Sequence, residues 1–165
     1  MTQAATISPS PTAPPAPLAS IETRFGALAL DPARLIDFPS GLMGFSDPQR
    51  FALLDLPDAG VPFKLLQSVD DPELAFLVLP IDPADGTIAS VDLSRAAATL
   101  GFDRAALAVV GIVTVRQNEE GVHFTINLKA PLLIDAERRV GAQHVLVDDG
   151  YQLRHPLPGT ASQAG

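Results

Sequence analysis

The side chains able to do chemistry are few and scattered. Histidine occurs three times, at His123, His144 and His155, and no two have the close spacing that sets imidazoles on one metal ion. Carboxylates come in adjacent pairs at Asp70-Asp71, Glu119-Glu120 and Asp148-Asp149. A general acid and base pair needs a cleft that pushes the two pKa values apart, and all three pairs lie in stretches that read as turns. Asp82 and Asp85 could open a calcium loop, but the remaining oxygen positions and the closing glutamate are missing. Gly41 and Gly44 lack the lysine and the strand-to-helix setting of a phosphate loop. No serine sits in a nucleophile elbow. Cysteine is absent, which removes disulfides and thiolate chemistry. No catalytic, cofactor-binding or metal residue is therefore assigned, and the chain reads as a binding protein rather than an enzyme.

Charge is the more informative property. The 165 residues carry a formal net charge of −8. Residues 47–92 hold nine acids against Arg50 and Lys64, a net of −7, while residues 93–165 balance seven acids with seven bases. A field of that sign repels nucleic acid and anionic membrane and attracts basic partners. There is no Trp and a single Tyr, so little aromatic surface is available for stacking bases.

The elements that would carry these residues read mostly as strands. Residues 1–20 are uncharged and rich in Ala, Pro, Ser and Thr, a composition expected to form a disordered tail. One domain is expected over 21–158, with a second short tail at 159–165. No apolar run approaches the ~18 residues of a membrane span, and the N-terminus lacks the basic and apolar regions of a signal peptide; the expectation is a cytoplasmic, monomeric protein. Strands are expected at 21–25 and 27–30 about a turn at Gly26, then at 35–38, 51–55 and 62–68. The run at 74–79 is almost wholly apolar, which predicts a central strand buried on both faces. Asp92 is expected to cap a helix in which Leu93, Ala96, Ala97 and Leu100 form one stripe and Gly101 is the stop. A hairpin over 109–128 follows. Its alternation predicts that Val122, Phe124, Ile126 and Leu128 are buried. Pro131, an apolar run at 132–134, a charged turn at 135–139, and strands at 140–147 and 151–155 complete the chain. The whole reads as all-β and β-barrel-like, with antiparallel strands and one short helix near 93–100.

Five segments add a resemblance: FPSGLMGF at 38–45, PFKLLQS at 62–68, LAFLV at 74–78, TINLKAP at 125–131 and YQLRHPL at 151–157. In this order they resemble the flagellar assembly factor FliW family, over about 21–157. The resemblance implies a β-barrel-like protein that binds the translational repressor CsrA and also flagellin. Free of flagellin, such a protein holds the repressor away from its RNA and relieves repression of flagellin translation. Where the family has an aspartate–tyrosine pair after the central strand, this chain has Thr87-Ile88-Ala89-Ser90. The residues expected to serve a partner are Gln67, Ser68, Asp70, Asp71, Glu73 and Asn127; for Gln67 and Asn127 the alternative is that the amide fixes a turn or a strand crossing. The competing functional class is a small β-barrel ligand carrier or flavin-type enzyme.

Overall fold

The computed structural model describes residues 19–23, 26–31, 35–45, 47, 49–56 and 63–157. The expected tails lie outside these residues, apart from Ala19 and Ser20, which belong to the first strand. Strands β1 (Ala19–Thr23) and β2 (Gly26–Leu30) form a two-stranded ribbon, so Gly26 opens a strand rather than making the turn. Then come β3 (Ile36–Phe38), β4 (Gln49–Asp55), β5 (Lys64–Ser68) and β6 (Ala75–Ile81). The helix α1 (Ser90–Leu100) precedes β7 (Leu107–Asn118), β8 (Gly121–Ile126), β9 (Leu132–Asp135), β10 (Val140–Gln143) and the two-residue β11 (His155–Pro156).

The order β7-β6-β5-β4-β3-β10-β9 returns to β7, which closes a seven-stranded barrel. All of these pairings are antiparallel except β10 with β3, which meet in parallel at Val140 and Asp37. Strand β7 carries the closure because it is long enough to serve two partners on one edge. Its first half, from Leu107 to Val110, pairs with β9, and its second half, from Val113 to Asn118, pairs with β8. Gly111 sits at the changeover. A Cβ there would lie 2.5 Å from the side chain of Ile126, so only glycine lets β8 cross so closely.

Alternating residues divide the apolar set into layers, as the two-residue period of a strand requires. Phe38, Phe51, Leu66, Val78, Val110 and Leu132 pack in one cluster, and Phe38 meets Phe51 edge to face at 5.3 Å. The opposite faces of β6, β7 and β9 contribute Ile81, Val109 and Leu133 to a second cluster, which Leu93, Ala96 and Ala97 of α1 cover from outside. A third, smaller cluster joins Ala52, Leu54 and Leu65, near where β2 lies against β4. Strands covered on both faces need apolar residues at successive positions, which is why β9 is buried throughout.

Several expectations are corrected. Strand β5, like β9, is buried on both faces, and β6 is not: Leu65, Leu66, Gln67 and Ser68 are all buried, whereas Ala75, Phe76 and Leu77 are half-buried. Strand β5 is flanked by β4 and β6 along its length, but β6 pairs with β7 only from Val78 onward, which leaves Ala75, Phe76 and Leu77 with β5 as their one neighbouring strand. The helix begins at Ser90 with Ala89 at its N-cap, and Asp92 lies in its first turn. At the other end Gly101 adopts φ 74° and, with Phe102, returns backbone N–H groups to Ala98 and Ala97, a glycine stop of the Schellman kind.

The strand expected over 140–147 ends at Gln143. Its register continues nonetheless: His144 N–H donates to the Pro131 carbonyl and Leu146 N–H to that of Lys129. Pro131 has no N–H to return the bond, so the ladder thins. The expected strand at 151–155 reduces to the pairing of His155 and Pro156 with Ile126 and Thr125. In β8 the apolar face holds only partly: Ile126 and Leu128 are buried, while Val122 and Phe124 are half-exposed because the hairpin tip projects beyond the barrel.

Candidate partner-binding surface

Five of the six residues singled out from sequence converge on the β5–β6 turn, and they divide by depth. Gln67 and Ser68 are buried. The Ser68 hydroxyl accepts the N–H groups of Asp70 (3.1 Å) and Asp71 (3.0 Å). The Gln67 amide nitrogen faces the carbonyls of Ser68, Pro72 and Leu74 at 3.1–3.2 Å. Polar groups of a turn that leaves the solvent must find partners, and these two side chains supply them from inside. Both side chains hold the turn from its buried side.

Asp71, Glu73 and Asp70 stand outside this frame and are exposed. Asp71 Oδ1 accepts the Glu73 N–H at 3.0 Å, a turn that aspartate forms readily. Asp70 Oδ2 accepts the Arg50 N–H at 3.2 Å, tying the turn to β4. Both bonds use backbone donors and leave the carboxylate charges unneutralised. Beside Asp70 lies an open cleft of about 350 Å³, lined also by Asp37, Phe38, Pro39, Gln49 and Arg50.

Asn127 is not part of this group. It lies between β8 and β9, where its Oδ1 accepts the Ala130 N–H at 2.9 Å and its own N–H donates to Ile112. It sets the crossing from one strand to the next.

Two polar arrangements escaped the sequence reading. Asp135, expected on a charged turn, is buried at the end of β9. It accepts N–H groups of Glu137 and Arg138 at 3.1 Å each, and the Arg138 Nε at 3.0 Å. The Arg138 backbone N–H chiefly holds its carboxyl below the ordinary aspartate value, against the opposing effect of burial. The Tyr151 hydroxyl donates to Asp92 and accepts the Ala89 N–H, with burial first and Asp92 second pushing its pKa up. The Tyr151 bonds were not signalled because they join segments far apart in sequence, and the burial of Asp135 was not signalled because it depends on the distant segment at Asp103. No grouping of three or more metal-ligating side chains occurs among the described residues. Another cleft, about 380 Å³, is lined by the Lys64–Asp55 ion pair and Arg139 together with Ile36, Leu53 and Val110. A flavin inside the barrel would have to displace Phe38, Phe51 and Leu66, all fully buried.

The family model for the FliW protein matches residues 19–157 of this chain. The chain belongs to the FliW family. Among its relatives, the flagellar assembly factor FliW of Natranaerobius thermophilus is 33% identical over 142 residues, covering 81% of this chain and 87% of that one. That of Geobacter sulfurreducens is 32% identical over 143 residues, covering 86% and 87%. That of Exiguobacterium sp. is 35% identical over 140 residues, covering 84% and 94%. A crystal structure of the flagellar assembly factor FliW superposes with a TM-score of 0.60 at 28% identity, over 87% of this chain and all of that one. In this FliW chain the segment at 87–90 leads into α1, with Ile88 buried and Ala89 bonded to Tyr151.

Proposed function

We propose that this FliW-family protein acts in flagellar assembly as a binding protein rather than an enzyme, and that its partners are the repressor CsrA and flagellin. Free of flagellin, it binds the repressor away from its RNA surface and so relieves repression of flagellin translation; flagellin and the repressor exchange on it as a switch. It works as a monomer in the cytoplasm, where translation takes place. The reading draws on family membership. The observation that carries it on this chain is the β5–β6 turn, where Gln67 and Ser68 hold three unneutralised carboxylates outward within the most acidic stretch of the sequence. An RNA-binding repressor presents basic surface, and opposite fields speed and orient encounter.

The test is a titration of the purified chain with purified CsrA, followed by competition with flagellin. Binding that weakens as salt rises and is reversed by flagellin is the expected result. Absence of a complex at low salt would refute the reading.

A further inference from the structure

The loop between β3 and β4 presents three large apolar side chains, and the core uses one of them. Leu42 is buried, whereas Met43 is 52% and Phe45 43% exposed. The loop is firmly held. Gly41 and Gly44 take φ 67° and 87°, conformations that disfavour a side chain. Leu42 and Phe45 exchange backbone hydrogen bonds at 2.9 and 2.7 Å, and the Gln143 side chain accepts the Met43 N–H at 2.9 Å. The Phe45 ring meets that of Phe76 edge-on at 5.8 Å. Leu74, which closes the acidic turn, packs in the same cluster as Leu42 and Phe76. Two exposed apolar side chains on a rigid support therefore stand at the same end of the barrel as Asp70, Asp71 and Glu73.

An apolar centre with a polar rim is the anatomy of a protein interface, and a support already ordered reduces the entropy lost on binding. We propose that this end of the barrel, centred on Met43 and Phe45 and rimmed by Asp70, Asp71 and Glu73, docks an amphipathic protein segment in which apolar side chains are flanked by Lys or Arg. Charge selects the occupant: the rim attracts a basic segment and repels anionic ones. The inference rests on the basic partner proposed above and adds the apolar anchor to it.

The probe is a synthetic peptide of leucine and lysine, titrated into the full chain and followed by backbone amide shifts. The expected shifts fall on Met43, Phe45, Asp70 and Glu73, and a leucine–glutamate peptide produces none. The double change Met43→Ser/Phe45→Ser should weaken binding at least about tenfold, as loss of an interface anchor does. Met43→Ser alone leaves the Phe45–Phe76 contact in place and should weaken binding with an unchanged Tm. Shifts that map elsewhere, no shifts, or variants that bind like the parent would overturn the proposal. CsrA as a second titrant separates the two readings. Binding of CsrA that ignores Met43→Ser refutes this surface alone, whereas a peptide that maps here beside a CsrA that does not bind refutes the partner alone.

Discussion

The Tyr151 hydroxyl lies 2.6 Å from Asp92 Oδ2 and 2.9 Å from the Ala89 backbone nitrogen. One phenol thus fastens the C-terminal stretch to both the N-cap and the first turn of the helix. Tyr151→Phe removes both bonds while keeping the ring, and should lower stability by about 1–2 kcal/mol in a denaturant titration. Burial and Asp92 raise the pKa of Tyr151 in the folded state. Its contribution is therefore complete below the unfolded value of about 10 and is lost as pH rises through the folded one. The Phe variant should lack that alkaline component.

Asp135 predicts the opposite limb. Its folded pKa is lowered, so its contribution is complete above the unfolded value of about 3.9 and is lost as pH falls through the folded one. Asp135→Asn should lower the Tm at pH 7 and flatten its fall on the acid side. A Tm unchanged at pH 7 would show that the turn at 136–139 stands without the carboxylate.

Gly141 backs directly onto Phe38. A Cβ built there would come within 2.6 Å of the ring. Gly141→Ala must push a fully buried phenylalanine out of its packed position, at a cost of about 1–3 kcal/mol. A loss measured within experimental error of zero would mean that the β10–β3 seam has room to give.

Phe124 packs against Phe63 in a tilted pair, 5.0 Å between ring centres, but keeps part of its surface in solvent. Phe124→Ala is expected to cost about 1–3 kcal/mol, short of the 3–5 kcal/mol of a fully enclosed ring. Equilibrium unfolding decides between the two.

The acidic turn gives a kinetic prediction. Changing Asp70 and Asp71 to Asn and Glu73 to Gln keeps the side-chain acceptors of the turn and removes three charges. Association with CsrA should slow and lose much of its salt dependence, with Tm nearly unchanged. The control is Glu119, Glu120 and Glu137, exposed acids on other turns; equal slowing by both sets would leave only unspecific attraction.

Local pattern carried much of this molecule into view. The strands, the single helix and its glycine stop follow from period and punctuation, and the acidic turn from a count of charges. What sequence concealed depends on which strands become neighbours. Strand β6 reads as central because Leu74, Phe76, Leu77, Val78 and Leu79 are apolar, yet its exposure is decided by where its pairing with β7 stops, at Val78. Asp135 reads as a surface charge until Arg138 and the 103–106 turn enclose it. Gln67 and Asn127 were ambiguous for the same reason: an amide's partners are known only when the turn around it is built.

The parallel contact between Val140 and Asp37 is the thinnest link in the barrel wall, a single bridge beside one hydrogen bond from the Asp37 N–H to the Arg139 carbonyl. It also joins strands from opposite ends of the chain, so its loop-closure entropy is met only after the intervening strands have paired. Every other seam of the barrel joins its strands through three or more residue pairs. The barrel thus has a last step in folding and a first place to open, and they are the same place. Amide exchange at Asp37 should report local opening well below the free energy of global unfolding.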